Sequence, residues 1–261
     1  MAIDADALLR SGDLDGARVA LIEAARTQPA DIPTRLFLFQ LLAVQGEWDK
    51  AEKQLAALAR LSPEAAMLST VYAQAIAAER DRAAVFAGTA TAAIHGGAPW
   101  AQGIADALHV EAAGDPAAAQ ALRDEAFDQA PDTPGTIGEG DDARRFEWIA
   151  DADPRFGPVM EAIAGGRYGL LPFAEIEAID SEGPRDLRDL VWYPAEVTMK
   201  AGARVAMLLP TRYPSLGDDP GERLARATGW SDDGLGSGAH LWSFSDGDDL
   251  ALPSVRHVRF D

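Results

Sequence analysis

Apolar residues recur at helical spacing from the start of the chain. Leu8, Leu9 and Leu14, then Ala17, Leu21, Ala24 and Ala25 predict two helices parted by a turn at Gly12. Leu36, Phe37, Leu38, Phe39, Leu41 and Leu42 predict a helix that is apolar on nearly every side and so must be packed between neighbours. Its expected partner carries Ala51, Leu55, Leu58 and Ala59 on one face, where small residues let two helices approach closely. The turns between these helices are periodic. Residues 12–17 (Gly-Asp-Leu-Asp-Gly-Ala) return as residues 46–51 (Gly-Glu-Trp-Asp-Lys-Ala) 34 residues later, and as residues 114–119 after two further periods. The intermediate copy at 80–85 has lost its glycine, but Pro29, Pro63, Gly97 and Pro131 keep the same interval. A fixed period of this length is the mark of a repeat array, each unit predicted to be a helical hairpin. Ser62-Pro63-Glu64 and Asp115-Pro116 supply N-caps followed by proline at the first helical position.

These residues resemble the tetratricopeptide repeat (TPR). Gly46, Trp48, Ala51 and Pro63 carry the likeness best, Gly12, Leu14, Ala17 and Pro29 less fully, and the units around Arg80 and Gly114 least. Stacked hairpins of this kind leave a concave surface that takes an extended peptide or an amphipathic helix. Counted in register, the expected groove residues are Leu36, Gln40 and Ala43, then Thr70, Gln74 and Ala77, then Ile104, Leu108 and Glu111. Any of them can equally be core, or be covered by the rest of the chain.

The pattern changes after residue 131. Residues 131–142 hold two prolines and three glycines with little apolar content, which predicts a linker over 132–142 between a repeat domain (1–131) and a second domain (143–261). Residues 143–150 and the stretch from Asp153-Pro154 toward Ile163 read as further helix. After Gly165-Gly166 the chain reads as short strands at 176–179, 190–193, 203–209, 241–244 and 250–260, with Asp246-Gly247 as a hairpin turn. The expected fold class is therefore α + (α+β): a TPR-like helical-hairpin array followed by a small antiparallel α+β domain.

Charge and composition narrow the function. A net charge of −19, spread over both halves, argues against a nucleic-acid partner. The absence of cysteine removes thiolate metal sites, disulfides and cysteine nucleophiles. Residues 1–6 do not read as a secretory signal and no apolar run approaches a membrane span, so no membrane association and a cytoplasmic location are expected. His95, His109, His240 and His257 fall in no metal-ligand spacing, and the glycines at 234, 236 and 238 lack the strand-then-helix context of a phosphate loop. The sequence predicts no catalytic residues, no metal and no cofactor. Arg155, Trp192, Arg212, Tyr213 and Trp230 stand out as an Arg and aromatic set of the kind enriched at interfaces. The competing account makes both tryptophans core and buries Arg155 or Arg212 against Asp151, Asp153 or Asp189.

Six ordered motifs carry a second resemblance. Asp-Ala-Asp-Pro-Arg-Phe-Gly-Pro at 151–158, Gly-Arg-Tyr at 166–168, Pro172-Phe173, Leu-Arg-Asp-Leu-Val-Trp at 187–192, Pro-Thr-Arg-Tyr-Pro at 210–214 and Ala-Thr-Gly-Trp at 227–230 are similar to the ImpE/SciE family of type VI secretion accessory proteins. The sequence departs from the family pattern around residues 234–238 and between Pro214 and Gly221. The resemblance implies a non-enzymatic adaptor that contacts the small subunit of the contractile sheath, through a helix near that subunit's N-terminus, and a ClpV-type AAA+ ATPase. An enzyme with a catalytic second domain, or a holdase for unassembled sheath subunits, remains an alternative.

Overall fold

The computed structural model describes residues 5–140, 143–215 and 217–261. Part of the N-terminal signal reading (residues 1–4), two residues of the expected linker (Asp141, Asp142) and Leu216 lie outside the described residues. The helices are α1 (Ala5–Arg10), α2 (Leu14–Thr27), α3 (Ile32–Val44), α4 (Trp48–Leu58), α5 (Pro63–Phe86), α6 (Ala101–Ala112) and α7 (Pro116–Gln129). Their starts follow from local chemistry. Asp13, Asp31, Ser62 and Asp115 each accept a hydrogen bond from a backbone N–H of the first turn, and the last three are followed by a proline within two residues. Gly12, Gly46 and Gly114 end the preceding helices at φ of 84°, 70° and 89°. That left-handed region suits glycine, which is why the repeat spacing tracks these positions.

The third unit departs from the expected hairpin. α5 runs unbroken for 24 residues through Arg80 and Asp81, since no residue there takes a left-handed φ and nothing interrupts the helical hydrogen bonds. After it comes a short strand, β1 (Ala93–Ile94), and only then the last hairpin, α6–α7.

The second half is built on one sheet. Its strands are β2 (Gly135–Ile137), β3 (Arg144–Phe146), β5 (Val159–Ala164), β6 (Arg167–Pro172), β7 (Ile176–Asp180), β8 (Trp192–Met199), β9 (Arg204–Pro210) and β14 (His257–Phe260), with β1 contributed by the helical half. The order is β1-β6-β5-β9-β8-β7-β14-β2-β3, and every pairing is antiparallel except β1 with β6. A smaller sheet of β13 (Asp249–Ala251), β12 (Leu241–Phe244) and β4 (Ile149–Asp151) packs on one face, with β12 and β13 joined at Asp246-Gly247 as expected. A hairpin of β10 (Thr228–Trp230) and β11 (Gly236–Gly238) and a one-turn helix, α8 (Pro220–Arg223), complete the chain. The α + (α+β) class holds.

Three local expectations are corrected. Residues 143–150 form β3 and β4 rather than helix. The stretch toward Ile163 is β5, whose Val-Met-Glu-Ala-Ile-Ala is almost continuously apolar because both of its faces are buried, which leaves no period to read. Within the expected linker, Gly135–Ile137 is a paired strand between β14 and β3. Gly135 is required there, since a Cβ would lie 2.2 Å from the carbonyl oxygen of Arg259.

Each face of the large sheet feeds its own core. Val159, Ile163, Tyr168, Leu170 and Trp192 face the helices and join a core continuous with Phe39, Leu55 and Ile76. Met160, Ala162, Tyr193, Val197 and Leu209 face the small sheet with Phe146, Trp242 and Phe244. The two halves of the chain thus share a hydrophobic core.

Candidate protein-interaction site

The concave side of the repeat helices is already filled. Trp192, at the start of β8, is fully buried there. Its ring stacks near parallel to Phe39 at 6.5 Å and lies 5.7 Å from Trp48 and 5.5 Å from Tyr72, while its indole N–H donates to Glu79 Oε1 at 3.1 Å. The open groove expected from the repeats is therefore corrected. Gln40, Ala43, Ile104 and Leu108 are buried and offer no surface. Leu36 is half-buried against the same core, and Glu111 is half-buried and ion-paired with Arg123. Thr70 and Gln74 are exposed on α5, as is Ala77, with Gln74 against Gly166 in the β5–β6 turn.

Below Trp192 the halves are joined by buried charges. Glu161 on β5 accepts from Arg82 Nε (2.7 Å) and Nη2 (2.6 Å), from Tyr168 Oη (2.7 Å) and from His240 Nε2 (2.9 Å). His240 donates its other N–H to Asp151 Oδ2 at 2.6 Å, and Asp151 also accepts from Tyr213 Oη at 2.9 Å. Burial opposes the His240 charge, but Asp151 and Glu161 outweigh it and raise its pKa to about 9. Burial also pushes Glu161 toward the neutral form, against which Arg82 and His240 hold its carboxyl well below the usual range. The site is an imidazolium held between two carboxylates, with an arginine from α5 on the far side. No water fits between Asp151, Glu161, His240 and Trp242, and the array joins the sheet to α5 through Arg82.

The clamp has a pH signature. The folded His240 pKa lies above the ordinary 6.5, so its contribution is complete below pH 6.5 and is lost as the pH rises through about 9. Urea denaturation between pH 6 and 10 is expected to show a fall of about 3 kcal/mol, absent in His240→Gln. A flat wild-type profile over that window would contradict the imidazolium assignment.

The Arg and aromatic set divides. Arg155 is paired to Asp153 through Nε (2.9 Å) and Nη2 (2.6 Å), as the structural account expected. Tyr213 is buried in the network. Arg212 is buried but pairs with no carboxylate among the described residues: its Nη1 donates to the carbonyls of Val44 and Arg223, both at 2.7 Å, while Asp189 accepts instead from the backbone N–H groups of Arg185 and Asp186. Trp230 alone of the five is well exposed, at 45%, resting on Tyr213 with ring centroids 5.7 Å apart. The sequence reading missed Glu79, Arg82, Glu161 and His240. Their one signal was charge in otherwise apolar runs, clearest for Glu161 within β5.

An open apolar trough lies where the helices leave the sheet. It has a volume of about 580 Å³, with Val71 of α5 as one wall and Pro194, Ala206 and Leu208 as floor. Asp180, Glu182, Glu196, Arg185 and His257 rim it. Val71 is 45% exposed, and Met67, one turn earlier on the same helix, is 72% exposed. Apolar side chains rimmed by charge at an open depression are the pattern of a protein-interaction site. Thr70 and Gln74 flank Val71 in sequence, so this part of the predicted set sits beside the trough.

Residues 143–259 match the ImpE protein family and residues 8–75 match the tetratricopeptide repeat. Over its whole length the chain is 45% identical to a Pseudomonas aeruginosa protein described as type VI secretion system accessory component TagJ, of which 92% is covered. The crystal structure of a protein from Vibrio parahaemolyticus superposes with a TM-score of 0.88 at 22% identity, covering 98% of this chain and 97% of that one, a likeness of fold.

Proposed function

The chain belongs to the ImpE family, and from that premise we propose that it is a non-catalytic adaptor of bacterial type VI secretion. In this reading an amphipathic helix of a partner lies in the trough over Val71 and Leu208. The partner is the helix near the N-terminus of the small sheath subunit, and a ClpV-type ATPase is the second protein brought close by the same chain. Holding both raises their effective concentration without any chemical step. The observation that carries this reading is the trough, an accessible apolar surface outside the filled concave face. A cytoplasmic place of work fits this role, and among the described residues no helix is long and apolar enough to cross a membrane.

Titration of the full chain with a synthetic peptide of that sheath helix tests the reading. Losing a buried contact at Val71 is worth about 1.5–3 kcal/mol, so Val71→Asp should weaken binding by roughly 10- to 100-fold. Met67→Asp should act in the same direction and Trp230→Ala should leave affinity unchanged. Wild-type binding by Val71→Asp and Met67→Asp would place the helix elsewhere. Binding only of unfolded sheath subunit, with no affinity for the isolated helix, would favour a holdase.

A further inference from the structure

A second cavity, of about 280 Å³, opens between α4, α5 and the segment that follows β9. It lies toward the C-terminal end of α5, about 16 Å along the helix from Val71. Its walls include Trp48, Phe86, Val191 and Tyr213, and the exposed Ala83 marks its mouth. That volume is far more than one water requires and approaches the lower end of small-molecule sites.

The lining holds two arginines and one glutamate. Glu79 is already engaged, by the Trp192 indole and by Arg82, and Arg82 is engaged by Glu161. Arg212 is not matched in this way. Only its Nη1 has protein acceptors, both of them neutral carbonyls, and among the described residues its Nε and Nη2 have none. These two nitrogens are not among the sealed, partnerless side-chain atoms of the described residues, and Arg212 lines the cavity. Nε and Nη2 form the edge of a guanidinium that takes a carboxylate with two parallel hydrogen bonds. A residue that is 4% exposed thus presents an unused, charged fork to a space walled by aromatic rings.

We infer that this cavity is a binding site for a small organic monocarboxylate with an apolar, ring-sized body, its carboxylate on the Nε and Nη2 edge of Arg212 and its body against Trp48, Phe86 and Tyr213. A single negative charge suits the site, because Arg212 offers one free edge and Glu79 stands beside it against a second. Nothing in this inference depends on the trough or on the partner proposed for it.

Calorimetric titration of the full chain with phenylacetate tests the site, with phenylacetamide as the neutral counterpart. Phenylacetate should bind saturably at one site and quench tryptophan fluorescence through Trp48, and phenylacetamide should bind at least tenfold more weakly. Arg212→Lys keeps the charge but loses the fork and should weaken phenylacetate by roughly tenfold. Should that variant fail to fold, Ala83→Phe narrows the mouth from an exposed position and should abolish binding with the thermal transition unchanged. Equal affinity for acid and amide, no saturable phenylacetate binding in the millimolar range, or undiminished binding by a folded Ala83→Phe would each overturn the assignment.

Discussion

Glu161→Gln should lower the unfolding free energy by about 3–5 kcal/mol, the range for removing one partner of a buried ion pair, read from urea denaturation at pH 7. The size follows from what the carboxylate holds. Both bonds from Arg82, one from His240 and one from Tyr168 converge on its two oxygens, and each of those residues is buried. Glutamine keeps the shape and removes the charge. Of its charged partners Arg82 then retains Glu79 at the longer distance of 3.5 Å, beside the neutral Arg212 carbonyl at 2.7 Å, and the imidazolium retains Asp151. The alkaline fall in stability should also begin at lower pH, because one of the two carboxylates that raise the His240 pKa is gone. Arg80→Ala is the matched comparison. Arg80 bonds Asp49 and Glu52 at 2.9 and 2.8 Å, but on the surface, where such pairs contribute about 0–1 kcal/mol. A cost below about 1 kcal/mol for Glu161→Gln would show that the network does not clamp the halves together.

Local chemistry was legible in the sequence, and what depends on distant partners was not. The caps at Ser62 and Asp115 and the left-handed glycines at 12, 46 and 114 act within one turn of the chain, and the structure holds them where spacing placed them. The missing glycine at position 80 was visible too. Its consequence, a single long α5, follows from the same rule: with no residue suited to a left-handed φ, the helix continues. The groove failed for a different reason. Register along the repeats identified inward-facing positions, but the occupant of that space, Trp192, lies 113 residues beyond Glu79, the residue it bonds. β2 escaped notice because three residues give no alternation to detect, and β5 because both its faces are apolar. Among the interface candidates, residue type singled out Arg155, Arg212 and Tyr213 and left open whether each serves the interior or a surface. What places them is partners distant in the chain or set by the fold: Asp153 for Arg155, Asp151 for Tyr213 and the carbonyl of Val44 for Arg212.

Trp192→Ala is expected to cost about 3–5 kcal/mol, the range for removing a large buried aromatic, and to change how the protein unfolds. The indole is the plug of the helical half, packed among Phe39, Trp48 and Tyr72, and it is also the first residue of a central strand. Its removal leaves a cavity between three rings and takes from Glu79 the donor to Oε1, inside a core shared by both halves. In the wild type that shared core should make unfolding a single transition, with loss of helix followed by circular dichroism at the same midpoint as loss of tryptophan burial followed by fluorescence. In Trp192→Ala both midpoints should fall, and the helical signal should be lost first, since the sheet keeps its second core around Phe146, Trp242 and Phe244 while the helices lose the centre of theirs. For the same reason residues 1–131 alone would expose Phe39, Ile76 and the polar face of Glu79 and Arg82, so partner assays belong on the full chain. Separate midpoints already in the wild type would mean that the helices stand without the sheet, and the concave face would then return as a place for a partner to enter.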